Sequence, residues 1–204
     1  MKIIQSLKTF GGDKKTGGFE TTRVLINELE KSYKVHQNFD YQMFTDEDGY
    51  NIIKNVVPCT VIDMPILCRD RIKFDGKFQT QKLMEVPYIH VDLDAVLMEL
   101  PEEKADIYCE KIEGRNFGNE INDLKLDISN IYELPCSAII GFTDMVFQKQ
   151  YIDTVFKLID KCNGIRNLNY KHCWGIEEVS LAILAKQHNK IIKSTTNIHY
   201  HNLK

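Results

Sequence analysis

The chain has 204 residues, of which 43% are hydrophobic and 27% are charged, and its formal net charge is −3. This size and composition predict one globular domain over residues 1–204 with a sizeable core. The balanced charge excludes the basic stripe expected for nucleic-acid binding, and the sequence has no apolar run of the roughly 18 residues that a membrane span needs.

The N-terminal residues MKIIQSL predict a strand. The apolar run at this end of the sequence is too short for the core of a signal peptide. The next segment, KTFGGDKKTGGFE, contains four glycines and three lysines but fits neither a Walker A loop nor GxGxxG. It is either a mobile surface loop or a loop that closes over a phosphate-bearing ligand. Six scattered cysteines without a CxxC pair predict reduced thiols and a cytoplasmic location.

Helices and strands alternate through the first half of the chain. Apolar residues at helical spacing predict a helix over residues 20–33. Three further predictions follow in order: a strand with an acidic turn over 41–49, a short helix over 49–57 and a strand over 60–67. A helix over 74–86 then leads to a buried strand over 87–91. This alternation predicts an α/β fold with a mainly parallel central sheet flanked by helices.

The second half begins with a polar segment, residues 101–130, which predicts an irregular or hairpin excursion. CSAIIGF predicts a second buried strand, and Thr143 or Asp144 is suited to cap the helix that follows. An amphipathic helix over residues 174–189 and a strand-like tail over 191–201 complete the predicted elements.

Two carboxylates follow the buried strand in residues 87–99, PYIHVDLDAVLME. Ligands of open α/β sheets bind beyond the C-terminal ends of strands, and Asp92 and Asp94 would converge if the strand continued. Repelling carboxylates favour a bound cation, and oxygen ligands suit Mg²⁺ or Mn²⁺. The alternative is a solvated strand end with capping aspartates. His90, inside the strand, is interpreted as a hydrogen-bonded core histidine.

The segment IHVDLDAVL also fits the DxDx[TV] motif of haloacid-dehalogenase-type phosphatases. In that hypothesis Asp92 is the nucleophile and Asp94 the general acid beside Mg²⁺. That motif normally follows the first strand of its domain, whereas here an α/β segment precedes it. The class also needs a later acidic pair, and CSAIIGFTD offers only Asp144.

The order of motifs resembles that of GT-A fold glycosyltransferases. PYIHVDLDAVLMELP resembles their Asp-x-Asp segment, and YQMFTDEDG resembles the strand that lines their nucleoside pocket. KFQTQKLMEV resembles the helix before the motif, and CSAIIGFTDMVFQKQY resembles a later strand and helix. WGIEEVSLA resembles a helix start near the acceptor, and IHYHNLK resembles the closing segment of glycogenin-like members.

The resemblance implies a metal-dependent transferase that moves a sugar from a nucleotide-sugar donor, with UDP-sugars as the first candidates, to an unknown acceptor. The implied metal is Mn²⁺ or Mg²⁺, and its implied ligands are Asp92, Asp94 and His201, with His199 as the alternative histidine. The implied donor-binding residues are Thr45, Asp46, Lys82, Asp92 and Lys204. The implied catalytic residues are Asp92, Glu177 and Glu178.

Simpler interpretations remain for several of these residues. Thr45 and Asp46 suit an ordinary turn, and acidic residues such as Glu177 and Glu178 are favoured in any first helical turn by the helix dipole. The Glu–Glu pair replaces the usual acidic–Gln pair, and the tail lacks a glycine. A GT-A-like domain that binds a nucleotide or a partner without turnover is therefore a further hypothesis.

Overall fold

The computed structural model describes residues 1–8, 18–65, 72–113, 131, 134–163, 176–195 and 197–199. The predictions for the glycine-rich loop, His201 and Lys204 lie outside these residues. The helices are α1 (Gly18–His36), α2 (Glu47–Ile53), α3 (Ile72–Lys82), α4 (Met145–Asn163) and α5 (Ile176–Gln187). The strands are β1 (Lys2–Leu7), β2 (Tyr41–Thr45), β3 (Cys59–Val61), β4 (Tyr88–Val91), β5 (Ala95–Leu97), β6 (Ile107–Cys109), β7 (Ile112–Glu113), β8 (Leu134–Pro135), β9 (Ile139–Phe142), β10 (Ile192–Ser194) and β11 (Asn197–His199).

Seven strands form the central sheet in the order β10-β6-β9-β4-β1-β2-β3. The strands pair in parallel except β9, which runs antiparallel to both β4 and β6. Two small sheets, β5–β11 and β7–β8, lie outside it. The predicted α/β fold with a mainly parallel sheet is confirmed, and the parallel strands end at one common edge.

The central sheet is buried on both faces. Alternate residues of a strand point to opposite sides, so each strand contributes side chains to the cores on both faces. On one face, Ile4, Tyr88 and Phe142 belong to a core that includes Tyr151 of α4 and Leu181 of α5. On the other face, the neighbouring residues of the same strands belong to cores that include α1 and β5. Burial of each large apolar side chain contributes roughly 1.5–3 kcal/mol.

Three details differ from the sequence predictions. Strand β6 lies inside the polar segment that was predicted to be irregular, where it is fully buried between β9 and β10. Three residues are too few to show a strand period. Helix α5 is buried on nearly all sides over residues 176–182, rather than amphipathic. Strand β3 ends at Val61, whereas the sequence predicts a strand over residues 60–67.

Two further observations concern the whole described part of the chain. None of its helices is both long and apolar enough to cross a bilayer. Its free cysteines are Cys59, Cys109 and Cys136.

Candidate functional site at the C-terminal edge of the sheet

The Asp-x-Asp segment is a turn between β4 and β5. The N–H of Ala95 donates to the carbonyl of Asp92 at 3.1 Å, and the N–H of Asp92 donates to the carbonyl of Ala138 at 2.7 Å. The strand does not continue through Asp94, because the chain turns here to pair β5 with β11. Asp94 nevertheless lies near enough to raise the pKa of Asp92.

Lys77 of α3 joins the elements around this turn. Its side chain is only 4% exposed, and its Nζ lies 3.3 Å from Asp92 Oδ1 and 3.2 Å from Glu177 Oε2. Nζ also donates to the carbonyl of Ser137, just before β9. Burial alone would lower the pKa of Lys77, but Asp92 and Glu177 raise it above its usual value. A charged ammonium therefore connects α3, the β4–β5 turn and the start of α5.

Asp92 has a perturbed acidity. Its pKa is raised to about 7: burial is the largest cause, Lys77 lowers the pKa, and Glu177 and Asp94 add to the rise. The side chain keeps 34% of its surface exposed, so a ligand can approach it. An additional cation beside Asp92 would relieve the repulsion between carboxylates.

His90 lies directly behind the turn. Its Nε2 is 3.0 Å from the Ser6 hydroxyl, and its Nδ1 is 3.7 Å from Asp92 Oδ1. Burial, and then Lys77, lower the pKa of His90 well below its ordinary value. As predicted, it is a hydrogen-bonded core histidine, and it is neutral.

A buried glutamine supports the turn from the opposite side. Gln5 Nε2 donates to the carbonyl of Asp92 at 3.2 Å. Gln5 Oε1 in turn accepts from the hydroxyls of Tyr41 at 2.9 Å and Ser32 at 3.3 Å. Strands β1 and β2 and helix α1 therefore fix the backbone that carries Asp92.

Glu177 and Glu178 are both buried at the start of α5, at 8% and 7% exposure. Lys77 forms ion pairs with both Glu177 and Asp92 and so links the two carboxylates. Glu178 instead acts on Cys136: burial raises the pKa of that thiol, and Glu178 adds to the rise. Burial raises the pKa of Tyr151 well above its usual range, and Glu177 adds to that effect. The helix dipole stabilises both carboxylates, but only Glu177 contacts the Lys77 ammonium that reaches Asp92.

Thr45 and Asp46 lie at the same edge of the sheet, at the end of β2. The Thr45 hydroxyl is buried and donates to the carbonyl of Leu7 at 2.9 Å. Asp46 caps α2 by accepting from the N–H of Gly49 at 2.8 Å, and it lies 4.0 Å from Lys8 Nζ. A cleft of about 450 Å³, lined by residues 46–48 and 61–64, opens beside Asp46. We call it the Asp46 cleft.

Lys82 does not join this group. It lies at the exposed end of α3, with its Nζ 5.4 Å from the ring centroid of Phe156. Five residues rotate a helical position by about 140°, so Lys77 and Lys82 point in different directions. The basic residue of α3 that reaches Asp92 is Lys77, which sequence reasoning missed. No sequence signal distinguishes the two lysines, because both lie in a polar helix.

A separate cavity of about 700 Å³ lies between residues 99–103 and 192–195. Polar groups at this cavity have partners within the chain: Lys193 pairs with Glu103, and the Tyr108 hydroxyl donates to the Glu103 carbonyl. Of the predicted site residues that the structure describes, none lines this cavity.

The structure describes two of the three predicted metal ligands, Asp92 and Asp94. Among them, no group of three or more His, Cys, Asp or Glu side chains is arranged to hold an ion. Asp92 and Asp94 supply two carboxylates with mutual repulsion, a donor set that fits Mg²⁺ or Mn²⁺. The remaining predicted ligand, His201, lies outside the described residues.

Comparisons with known proteins give the fold a name. No protein-family model matches the sequence, and no curated protein matches it. The structure is similar to galactosyltransferase LgtC in complex with donor and acceptor sugar analogues, with a TM-score of 0.52, 7% identity and coverage of 95% of this chain and 73% of that one. It is also similar to mouse xyloside xylosyltransferase 1 in its apo form, with a TM-score of 0.50, 10% identity and coverage of 95% and 85%. The chain therefore has the GT-A fold of these glycosyltransferases.

Proposed function

We propose that the protein is a metal-dependent glycosyltransferase that transfers a sugar from a nucleotide sugar, with UDP-sugars as the first candidates, to an unknown acceptor. The observation that carries this proposal is the Asp92 turn, with Lys77 and Glu177 joined to it, at the C-terminal edge of a GT-A sheet. Ligands of α/β sheets bind at this edge.

The charges at this edge suit the departure of a nucleoside diphosphate, on which negative charge develops as the bond to the sugar breaks. Lys77 supplies a fixed positive charge beside Asp92. Asp92, Asp94 and His201 would hold Mn²⁺ or Mg²⁺, which as a Lewis acid stabilises the departing diphosphate. In this proposal the Asp46 cleft receives the nucleoside, and Lys204 approaches the phosphates.

Glu177 is the candidate for work on the acceptor. It is buried, and Lys77 holds its carboxylate in place at 3.2 Å. In that position it orients an acceptor hydroxyl or accepts its proton, with Asp92 on the donor side. Glu178, one residue further along α5, is a second candidate for orienting the acceptor.

The phosphatase hypothesis finds less support in the same geometry. The Asp-x-Asp turn follows the fourth strand, and Asp144 is engaged elsewhere. Asp144 Oδ1 accepts from the N–H groups of Val146 and Phe147, and its Oδ2 lies 2.7 Å from Lys190 Nζ. Asp144 therefore caps α4 and does not serve the Asp-x-Asp turn as the later acidic partner that the class needs.

Hydrolysis of nucleotide sugars tests the proposal, because water replaces a missing acceptor. We expect slow release of nucleoside diphosphate that requires Mn²⁺, stops in EDTA and falls at least about 100-fold in Asp92→Asn and Asp94→Asn. Asp160→Asn, on the exposed face of α4, is the matched control. Phosphate release from a simple monoester without diphosphate binding would favour the phosphatase. A metal-linked thermal shift by UDP without any turnover would favour a non-catalytic binder.

The role of the tail has its own test. If His201 completes the metal site, His201→Ala weakens UDP binding in Mn²⁺ and leaves UDP binding without metal unchanged. Isothermal titration in both conditions measures this. An equal loss in both conditions would remove His201 from the ligand set.

A further inference from the structure

We infer that Lys77 is an internal counter-cation that opposes metal binding at Asp92 and so makes binding of the metal depend on the diphosphate. This inference rests on the proposed function, since it concerns the same metal. The cluster formed by Lys77, Asp92, Glu177 and the Ser137 carbonyl carries it, and we call it the Lys77 cluster.

The ammonium in the Lys77 cluster is firmly held. Three acceptors from three parts of the chain surround Nζ: Asp92 at 3.3 Å, Glu177 at 3.2 Å and the Ser137 carbonyl. The Ser137 carbonyl accepts a hydrogen bond from the ammonium, and the two carboxylates form ion pairs with it. The side chain is only 4% exposed, which leaves it little room to swing away.

In this inference the Asp92 carboxylate contacts two cations, the Lys77 ammonium and the proposed metal ion. Asp92 Oδ1 contacts Lys77 and is also a proposed metal ligand. A divalent ion on Asp92 would lie within a few ångströms of the ammonium, in a site screened only in part by water. Charges at such separations change affinities by tenfold or more.

A diphosphate changes this balance. In the proposed complex its negative charges would attract both cations. Lys77 therefore weakens metal binding to the free protein but favours the ternary complex, and by linkage the metal and the diphosphate strengthen each other's binding by the same factor.

The test is Mn²⁺ binding, measured by the loss of the free-ion EPR signal, with and without UDP. We expect Lys77→Met to bind Mn²⁺ about tenfold or more tightly than the wild type without UDP, with a smaller gain when UDP is added. Lys157→Met removes a charge from the exposed face of α4 and should match the wild type. Equal or weaker Mn²⁺ binding by Lys77→Met overturns the inference.

A second pair of variants separates Lys77 from Glu177 and also covers poor folding of Lys77→Met. Glu177→Gln leaves the ammonium to Asp92 alone, so Mn²⁺ binding without UDP should weaken. The double variant Lys77→Met/Glu177→Gln should bind Mn²⁺ without UDP more tightly than the wild type, as Lys77→Met does. Loss of Mn²⁺ binding in the double variant would mean that Glu177 itself ligates the ion, which overturns the inference.

The outcome is distinct from that of the proposed function. The EPR titration needs no turnover, so the expected change in Mn²⁺ affinity supports the inference even if no nucleotide sugar is hydrolysed. If neither the wild type nor Lys77→Met binds Mn²⁺ in the presence of UDP, the inference fails.

Discussion

Two lysine–aspartate pairs lie at the same edge of the sheet and have different surroundings. Lys77 and Asp92 are 3.3 Å apart, and Lys8 and Asp46 are 4.0 Å apart, with both lysine side chains at 5% exposure or less. Asp46 also accepts from the backbone of its own helix, at Gly49. Asp92 instead shares its lysine with Glu177, from a distant part of the chain. The Asp46 carboxylate therefore stabilises the local backbone, whereas the Asp92 carboxylate is placed by side chains from several elements.

The largest expected effect comes from removing the two lysines in turn. Lys77→Met leaves Asp92 and Glu177 without their shared cation and should lower the free energy of unfolding by about 3 kcal/mol, at the low end for a buried pair because Asp92 is partly exposed. Lys8→Met should cost less than about 0.5 kcal/mol, because this ion pair is long at 4.0 Å and Asp46 keeps its helix cap. Urea denaturation measures both. Equal losses would contradict the difference between the pairs.

The support beneath the Asp92 turn predicts a pH effect. His36 Nε2 accepts from the N–H of Leu97 at 3.0 Å, and its ring stacks on Tyr41, which holds Gln5. Burial lowers the pKa of His36 to about 4. As pH falls, His36 is therefore protonated in the unfolded chain before it is protonated in the folded protein. The contribution of His36 to the free energy of unfolding is complete above about pH 6.5 and is lost as pH falls towards 4.

By pH 5 this loss should reach about 2 kcal/mol. His36→Gln keeps an acceptor for Leu97 but does not titrate, so its unfolding free energy should fall less than that of the wild type between pH 7 and pH 5. Urea denaturation at the two pH values gives the comparison. An equal fall in unfolding free energy between pH 7 and pH 5 in the two proteins would show that His36 is not the titrating group.

The smallest expected effect concerns Asp46. Asp46→Ala removes the cap of α2 and should cost about 1 kcal/mol in urea denaturation. Asp46→Asn keeps a capping oxygen and should change stability by less than about 0.5 kcal/mol. A large loss in Asp46→Asn would show that the ion pair with Lys8, rather than the cap, stabilises this turn.

The sequence predicted helices and strands correctly where the apolar pattern is long and depends only on neighbouring residues. Apolar segments predicted β1 to β4 with their intervening helices, and then β9 and α4, in order, and the motif order predicted the fold. The site was predicted only in part. Asp92, Glu177 and the Asp46 turn were identified, but Lys77 was missed, because the inward direction of one lysine in a polar helix depends on tertiary packing. The sequence left open whether the strand continues past Val91, because the turn there depends on the pairing of β5 with a strand roughly a hundred residues later.

The central position of β1 has a consequence for synthesis on the ribosome. Ile3 pairs with Tyr41 on one side and with Ile89 on the other. While the chain between these two partners is made, roughly 2–10 s at ordinary elongation rates, β1 has only one neighbour. Its second edge then offers unpaired N–H and C=O groups to other nascent chains. Completion of β4, the strand that carries the Asp92 turn, closes that edge, so the same step of translation protects the nascent chain and begins the site.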